Sequence, residues 1–154
     1  MTQSIKLSTD QMRMISLFQN VTGATARDCI EDEKQNRVIF VVNTGKMGLA
    51  IGKGGMHIKS LQNIVKRNVE LVEYNEVPEK FIASLLNPKL ISDIKINTRQ
   101  DGSQQAIVMV DPRKKGIVVG REGRNAEKAR LLAKRYFNIT SVLINSPERV
   151  QMEL

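Results

Sequence analysis

The chain has 154 residues and a formal net charge of +8, with 41% hydrophobic and 4% aromatic residues, no Trp, one Cys and one His. That hydrophobic content supports a folded core, whereas a single Cys excludes an internal disulfide and, beside a single His, leaves no four-ligand zinc set within the chain. So few aromatics disfavour base-stacking platforms, and the sequence has neither a signal-peptide pattern nor the run of about 18 apolar residues that a membrane span needs, so a soluble cytoplasmic protein in a reducing compartment is expected.

Taken in chain order, Ser8-Thr9-Asp10-Gln11 reads as a capping box, in which the Ser side chain and the Gln satisfy amides exposed at a helix start. Met14, Leu17, Phe18 and Val21 then recur at helical spacing, and Gly23 is a plausible stop. Residues 25–31 and Arg37–Val42 read as strands, the second nearly continuous in apolar character before Asn43-Thr44-Gly45. A short helix is predicted from Met47 to Ile51, followed by Gly52-Lys53-Gly54-Gly55 and a longer helix with Ile58, Leu61, Ile64 and Val65 on one side. Val69–Tyr74 closes this set as a strand. Asn75-Glu76-Val77 follows, a connection too short to act as a long flexible tether.

The same order then begins again. Pro78 suits a first helical turn, Phe81, Ile82, Leu85 and Leu86 form an apolar stripe, and Asn87-Pro88 ends the helix. Strands are predicted at 90–97 and 104–110 around the turn signal Gln100-Asp101-Gly102. Asp111-Pro112 reads as the N-cap and first residue of a short helix over 113–119, which leads into Gly120-Arg121-Glu122-Gly123. A helix with Ala126, Ala129, Leu132 and Ala133 inward and a strand at 138–144 complete the set, leaving a frayed tail from Pro147.

Residues 38–67 slide onto 106–135 without a gap, at an offset of 68, and eight of the thirty positions are identical: Ile39, Val42, Lys46, Gly48, Gly52, Gly55, Lys66 and Arg67 in the first copy. On this offset Cys29 falls on Asn97 and His57 on Asn125. The repeat divides the chain into a first domain over 1–75, a second over 76–146 and a C-terminal tail over 147–154.

Charge follows the repeat. Residues 46–67 carry five Lys/Arg and no acid, and 113–135 carry nine Lys/Arg against Glu122 and Glu127, so the two windows are net +5 and +7 and the rest of the chain is net −4. Solvated helix faces also collect charge, but matching basic runs at both glycine loops are the footprint of a polyanion binder. A GxxG segment between two helices turns sharply, because Gly accepts positive φ, and its bare backbone admits a sugar-phosphate chain. The helix that follows adds free amides and a partial positive charge. Lys53 and Arg121 add a cation at the same loop position. A Walker A loop and a G-x-G-x-x-G fingerprint both fail on spacing, since Lys53 is followed by Gly54 and His57 stands where a last Gly is needed.

The stretches Gly48–Gly55 (GLAIGKGG) and Gly116–Gly123 (GIVVGREG) resemble the I/V-G-x-x-G signature of the KH (K-homology) RNA-binding family. The helix-first order resembles its type II variant, and the closely spaced tandem resembles the KH pair of the NusA transcription factors in its short archaeal form, over roughly residues 5–145. The resemblance implies an α+β fold of two three-stranded sheets, each with helices packed on one face. It implies single-stranded RNA as partner, about four nucleotides per unit, in a groove between the GxxG hairpin and the sheet edge. Gly52, Lys53, Gly54 and Gly55, and Gly120, Arg121, Glu122 and Gly123, would meet the RNA backbone. Ile51 and Val119 would lie beneath bases or else pack into the core, and Lys46, Lys114, Lys115 and Arg124 would give electrostatic support.

A role in transcription termination or antitermination follows from the resemblance, with RNA polymerase as a candidate protein partner and a monomer as the expected state. Bacterial members carry a polymerase-binding domain and an OB-like domain ahead of the KH pair, so roles resting on those parts are not implied here. The alternatives are a ribosome-associated KH protein, whose partners are ribosomal particles, and a protein-interaction module with degenerate grooves. No cofactor, metal or catalytic constellation is expected: His57 has no paired carboxylate or nucleophile and reads as solvent-facing or RNA-adjacent, and Cys29 reads as a structural thiol. Glu122 places an acid in the second loop, where it tunes phosphate contact or answers the helix dipole.

Overall fold

Helix α1 (Thr9–Thr22) starts at the capping box: Ser8 Oγ accepts from the Gln11 amide at 3.1 Å and Gln11 Oε1 accepts from the Ser8 amide at 2.9 Å. It stops at Gly23, whose φ of 78° lets its amide turn back to the Gln19 carbonyl. The Gln11 side chain also donates to the Cys29 carbonyl at 2.8 Å, which ties the helix start to the sheet. The computed structural model describes residues 5–147, so the tail expected beyond Pro147 lies outside the described residues. Contacts divide the chain into two units, Lys6–Asn75 and the residues from Glu76 on, and each is an α+β layer of one sheet with helices.

The first unit runs α1, β1 (Ala26–Asp32), β2 (Arg37–Val42), α2 (Met47–Ile51), α3 (Met56–Val65), β3 (Asn68–Glu73). The second runs α4 (Pro78–Leu86), β4 (Ile91–Thr98), β5 (Gln104–Val110), α5 (Lys115–Val119), α6 (Arg124–Phe137), β6 (Ile139–Asn145). In each, the first two strands pair antiparallel and the third lies parallel to the second, in the orders β1-β2-β3 and β4-β5-β6. Parallel pairing demands a crossover, and the helix–GxxG–helix segment is that crossover in both units. The glycine loop is therefore held between two helices that the sheet anchors at both ends.

The first core gathers Phe18, Ala24, Ala26, Cys29, Val38, Phe40, Val42, Ala50, Leu61 and Val69, with the rings of Phe18 and Phe40 4.6 Å apart. In the second unit Phe81 meets the edges of Tyr136 and Phe137, each at 5.6 Å, and Ile82, Leu85, Leu86, Ala126, Ala129, Leu132 and Ala133 are all buried. Arg37 is fully buried as well, and its guanidinium is held by Asp32 at 2.8 Å and Glu70 at 3.2 Å. This ion triad spans all three strands of the first sheet, and nothing in the strand pattern of Arg37–Val42 announces it.

The repeat is less regular than a gapless slide makes it. Ala26 pairs with Val42 and Ile91 with Val110, so the first strands correspond at an offset of 65, not 68, and the counterpart of Cys29 is Ile94 rather than Asn97. α3 has 10 residues and α6 has 14, each ending at a left-handed cap, Lys66 (φ 61°) and Asn138 (φ 55°). The Lys-Arg pairs that match in sequence are thus not equivalent: Lys66-Arg67 lies at and beyond a helix end, while Lys134-Arg135 occupies the last turn of α6.

Two local expectations also change. The helix expected over 113–119 begins at Lys115, because the Asp111 carboxylate accepts from the Arg113 amide at 2.9 Å and closes an Asx turn instead of capping a helix. Ile64 is 53% exposed, because it lies one residue, roughly 100°, round the helix from Val65 and off the stripe that Ile58, Leu61 and Val65 present inward.

Candidate nucleic-acid interface

Each glycine loop is built by the same sequence of backbone states. Gly52 (φ 77°, ψ 167°) closes α2, with its amide donating to the Gly48 carbonyl at 3.0 Å. Gly54 (φ 66°) and Gly55 (φ 75°) then take left-handed conformations, and the Gly55 amide donates to the Gly52 carbonyl at 3.1 Å. In the second unit Gly120 (φ 84°, ψ 164°), Glu122 (φ 56°) and Gly123 (φ 72°) repeat this, with bonds from Gly120 to Gly116 and from Gly123 to Gly120, both 3.0 Å. Three of every four loop residues are thus at positive φ, which explains the glycines physically. Glu122 is the exception, since a side chain there strains the backbone.

α3 and α6 both begin at a loop glycine, and neither has a side-chain N-cap. Each N-cap is a glycine, so neither helix start carries a capping side chain of its own, a setting in which a helix N-terminus can take an anion. Lys53 and Arg121 are exposed at the loop tips. The turn entering α2 is fixed on the far side, where Thr44 Oγ1 donates to the Tyr74 carbonyl at 2.8 Å and the Gly45 amide donates to Glu73 at 2.7 Å.

The remaining candidate residues divide by position. Ile51 is 36% exposed and Val119 is half-buried, while Ala50 and Val118, one residue earlier, are the fully buried members of their helices. Arg124 opens α6 next to the loop. Lys46 and Lys114 are N-caps of α2 and α5 and Lys115 is the first residue of α5, so these three stand at the opposite end of each short helix from its GxxG.

Two sets of residues escaped the sequence reading. Leu49 and Ile117 occupy the same place in α2 and α5 and are 48% and 61% exposed, a matched apolar pair beside the loops. Their signal was the helical spacing, which puts them off the buried side set by Ala50 and Val118. His57 and Asn125 fold back over the first loop glycines, so a Cβ at Gly52 would stand 2.7 Å from the His57 ring and one at Gly120 2.8 Å from Asn125 Nδ2. His57 is half-buried, and its Nδ1 donates to the Leu49 carbonyl at 2.8 Å, so it locks α2 to α3 rather than facing solvent freely. Among the described residues no cluster of three or more His, Cys, Asp or Glu could hold a metal, and no helix is long and apolar enough to cross a membrane.

Comparison with known proteins agrees with this architecture. Residues 12–80 match the KH domain family and residues 78–146 match the NusA-like second KH domain. The "Probable transcription termination protein NusA" of Halobacterium salinarum is 35% identical over 139 residues, covering 90% of this chain and 97% of that one. The protein of the same name from Halococcus morrhuae is 37% identical, covering 90% and 96%. The crystal structure of APE1850 superposes with a TM-score of 0.82 at 37% identity, over 90% of this chain and all of that one.

Proposed function

This chain belongs to the NusA family of tandem KH-domain proteins, and we propose that it is a non-enzymatic single-stranded RNA-binding factor of transcription termination or antitermination. The observation that carries the reading is the pair of GxxG loops with one backbone geometry, each opening a helix without a side-chain cap in a basic segment. Phosphates lie across Gly52–Gly55 and Gly120–Gly123, met by first-turn amides and by Lys53 and Arg121. Bases rest against Ile51 and Val119 and the neighbouring Leu49 and Ile117; the exposure of Leu49, Ile51 and Ile117 supports base contact over core packing. Lys46, Lys114, Lys115 and Arg124 raise the local potential that draws the strand in.

The names of the relatives place those proteins in transcription termination, which favours RNA polymerase over ribosomal particles as the protein partner of this chain, working in the cytoplasm. The test replaces both loop tips, Lys53→Asp with Gly54→Asp and Arg121→Asp with Glu122→Asp. Affinity for single-stranded RNA, read by fluorescence anisotropy, falls by at least about two orders of magnitude, because repulsion replaces charge-assisted contact at every phosphate on the loops. Circular dichroism remains that of the wild type, since Asp tolerates the left-handed positions better than most side chains. Unchanged RNA affinity in the four-fold variant would sink the reading.

A further inference from the structure

Both first strands carry a β-bulge, and the residue it ejects differs between the units. In the first unit that residue is Arg27, between Ala26 and Asp28; its guanidinium lies 3.8 Å over the Tyr74 ring and its Nε donates to Asn43 at 3.2 Å. In the second it is Ser92, between Ile91 and Asp93. Asp111 stands where Asn43 does, and the residues after β6 are Ser146 and Pro147, so no aromatic replaces Tyr74. At the place corresponding to Arg27, the second unit has an open cavity of about 230 Å³ lined by Lys89, Leu90, Ile91, Ser92, Asp111 and Lys114.

The lining has a charge pattern of its own. Lys89 and Lys114 are both exposed cations on the rim. Asp111 is held below the usual carboxylate range by its bonds from the Arg113 side chain and amide, so it stays ionised, with its charge answered by Arg113 at 3.2 Å. The position also matters. Lys114 caps the start of α5 and Gly120 its end, six residues apart, a rise of roughly 9 Å. A strand lying on the second loop and following α5 arrives at this cavity next.

We propose that the cavity is an accessory nucleotide site, taking one RNA nucleotide that flanks those on the Gly120–Gly123 loop, with its phosphate between the Lys89 and Lys114 ammonium groups and its sugar against Leu90 and Ile91. Its volume lies below the roughly 300 Å³ at which pockets begin to enclose whole small molecules, and suits a single sugar-phosphate with the base left open. The proposal rests on the RNA-binding reading above and makes the two units unequal, because the first unit carries Arg27 at the corresponding place.

The experiment measures binding of the full chain to randomised single-stranded RNA of two lengths, about four nucleotides, which one loop accommodates, and roughly twice that. Ser92→Arg places at the second bulge the residue that the first unit carries there, long enough to occupy the cavity, with Asp111 where Asn43 receives Arg27. Lys89→Gln removes one rim cation from an exposed site. Both variants are expected to bind the long RNA roughly three- to tenfold more weakly and the short RNA as the wild type does, even though Ser92→Arg adds a positive charge. Tighter or unchanged binding of the long RNA by Ser92→Arg, or equal losses at both lengths, overturns the site. If Ser92→Arg does not fold, Lys89→Gln decides by the same comparison. A wild type that binds neither RNA overturns the RNA-binding reading itself, whereas a wild type that binds both, with variants that match it, overturns only the accessory site.

Discussion

An alanine Cβ at Gly52 would press on His57 Cγ and Nδ1 at 2.7 Å, while one at Gly54 meets nothing within 4 Å, although both residues have positive φ. Gly54→Ala costs only the left-handed backbone, about 1–2 kcal/mol, whereas Gly52→Ala meets both the collision and a backbone state (φ 77°, ψ 167°) that is essentially restricted to glycine. Urea unfolding should therefore rank Gly52→Ala as the more destabilising. Because the nearest atoms belong to the His57 side chain, His57→Ala should recover part of the loss, with a coupling of about 0.5–3 kcal/mol in the double-mutant cycle; additive effects would mean that the ring simply moves aside. Glu122 offers the converse test. At φ 56° it is strained where the first loop has Gly54, and it sets a negative charge among phosphate ligands. Glu122→Gly is expected to tighten RNA binding up to about tenfold, whereas Gly54→Glu loosens it, as read from Kd at fixed salt.

Arg37 is the element-scale counterpart of these residues. It begins the central strand of the first sheet, is fully buried, and is paired with Asp32 and Glu70 from the two flanking strands. Removing it takes the shared guanidinium away from two carboxylates that are 10% and 23% exposed, so Arg37→Ala should lower the stability of the first unit by about 3 kcal/mol. Replacing all three partners with apolar residues of similar volume should restore most of that loss, since desolvating the ions offsets much of their attraction. The elements themselves were legible in the sequence because each carried a local cause: the capping box at Ser8, the nearly continuous β-branched apolar run in Arg37–Val42, the paired stripe Phe81, Ile82, Leu85, Leu86. What escaped depends on partners distant in sequence or on register. The Arg37 triad joins residues 33 apart in sequence, the bulges shift the first strands against the repeat, and the extra turn of α6 moves Lys134-Arg135 away from its apparent match. The loops were readable for the opposite reason, since four consecutive residues hold nearly all of their geometry.

Across the whole molecule the charge is split between two basic segments of net +5 and +7 within a chain of net +8, so the question of whether both loops engage RNA can be put to salt. For single strands, log K falls with log salt at a slope of about −0.7 per neutralised phosphate. Lys53→Gln and Arg121→Gln each remove one exposed cation at the same place in each loop, without changing the backbone of either. If both loops hold phosphates of one long strand, each substitution should make the slope shallower by about 0.7, and the double variant by about 1.4. Should only the first loop engage, Lys53→Gln carries the whole change and Arg121→Gln leaves the slope where it was. The measurement is a titration of wild type and three variants against one RNA at several salt concentrations. It distinguishes loss of a phosphate contact from loss of a base contact, because Ile51→Ala or Val119→Ala would shift K at every salt concentration and leave the slope unchanged. A slope insensitive to both loop cations would mean that the phosphates lie elsewhere on the basic surface, and the GxxG loops would then serve only as the sharp turns that join α2 to α3 and α5 to α6.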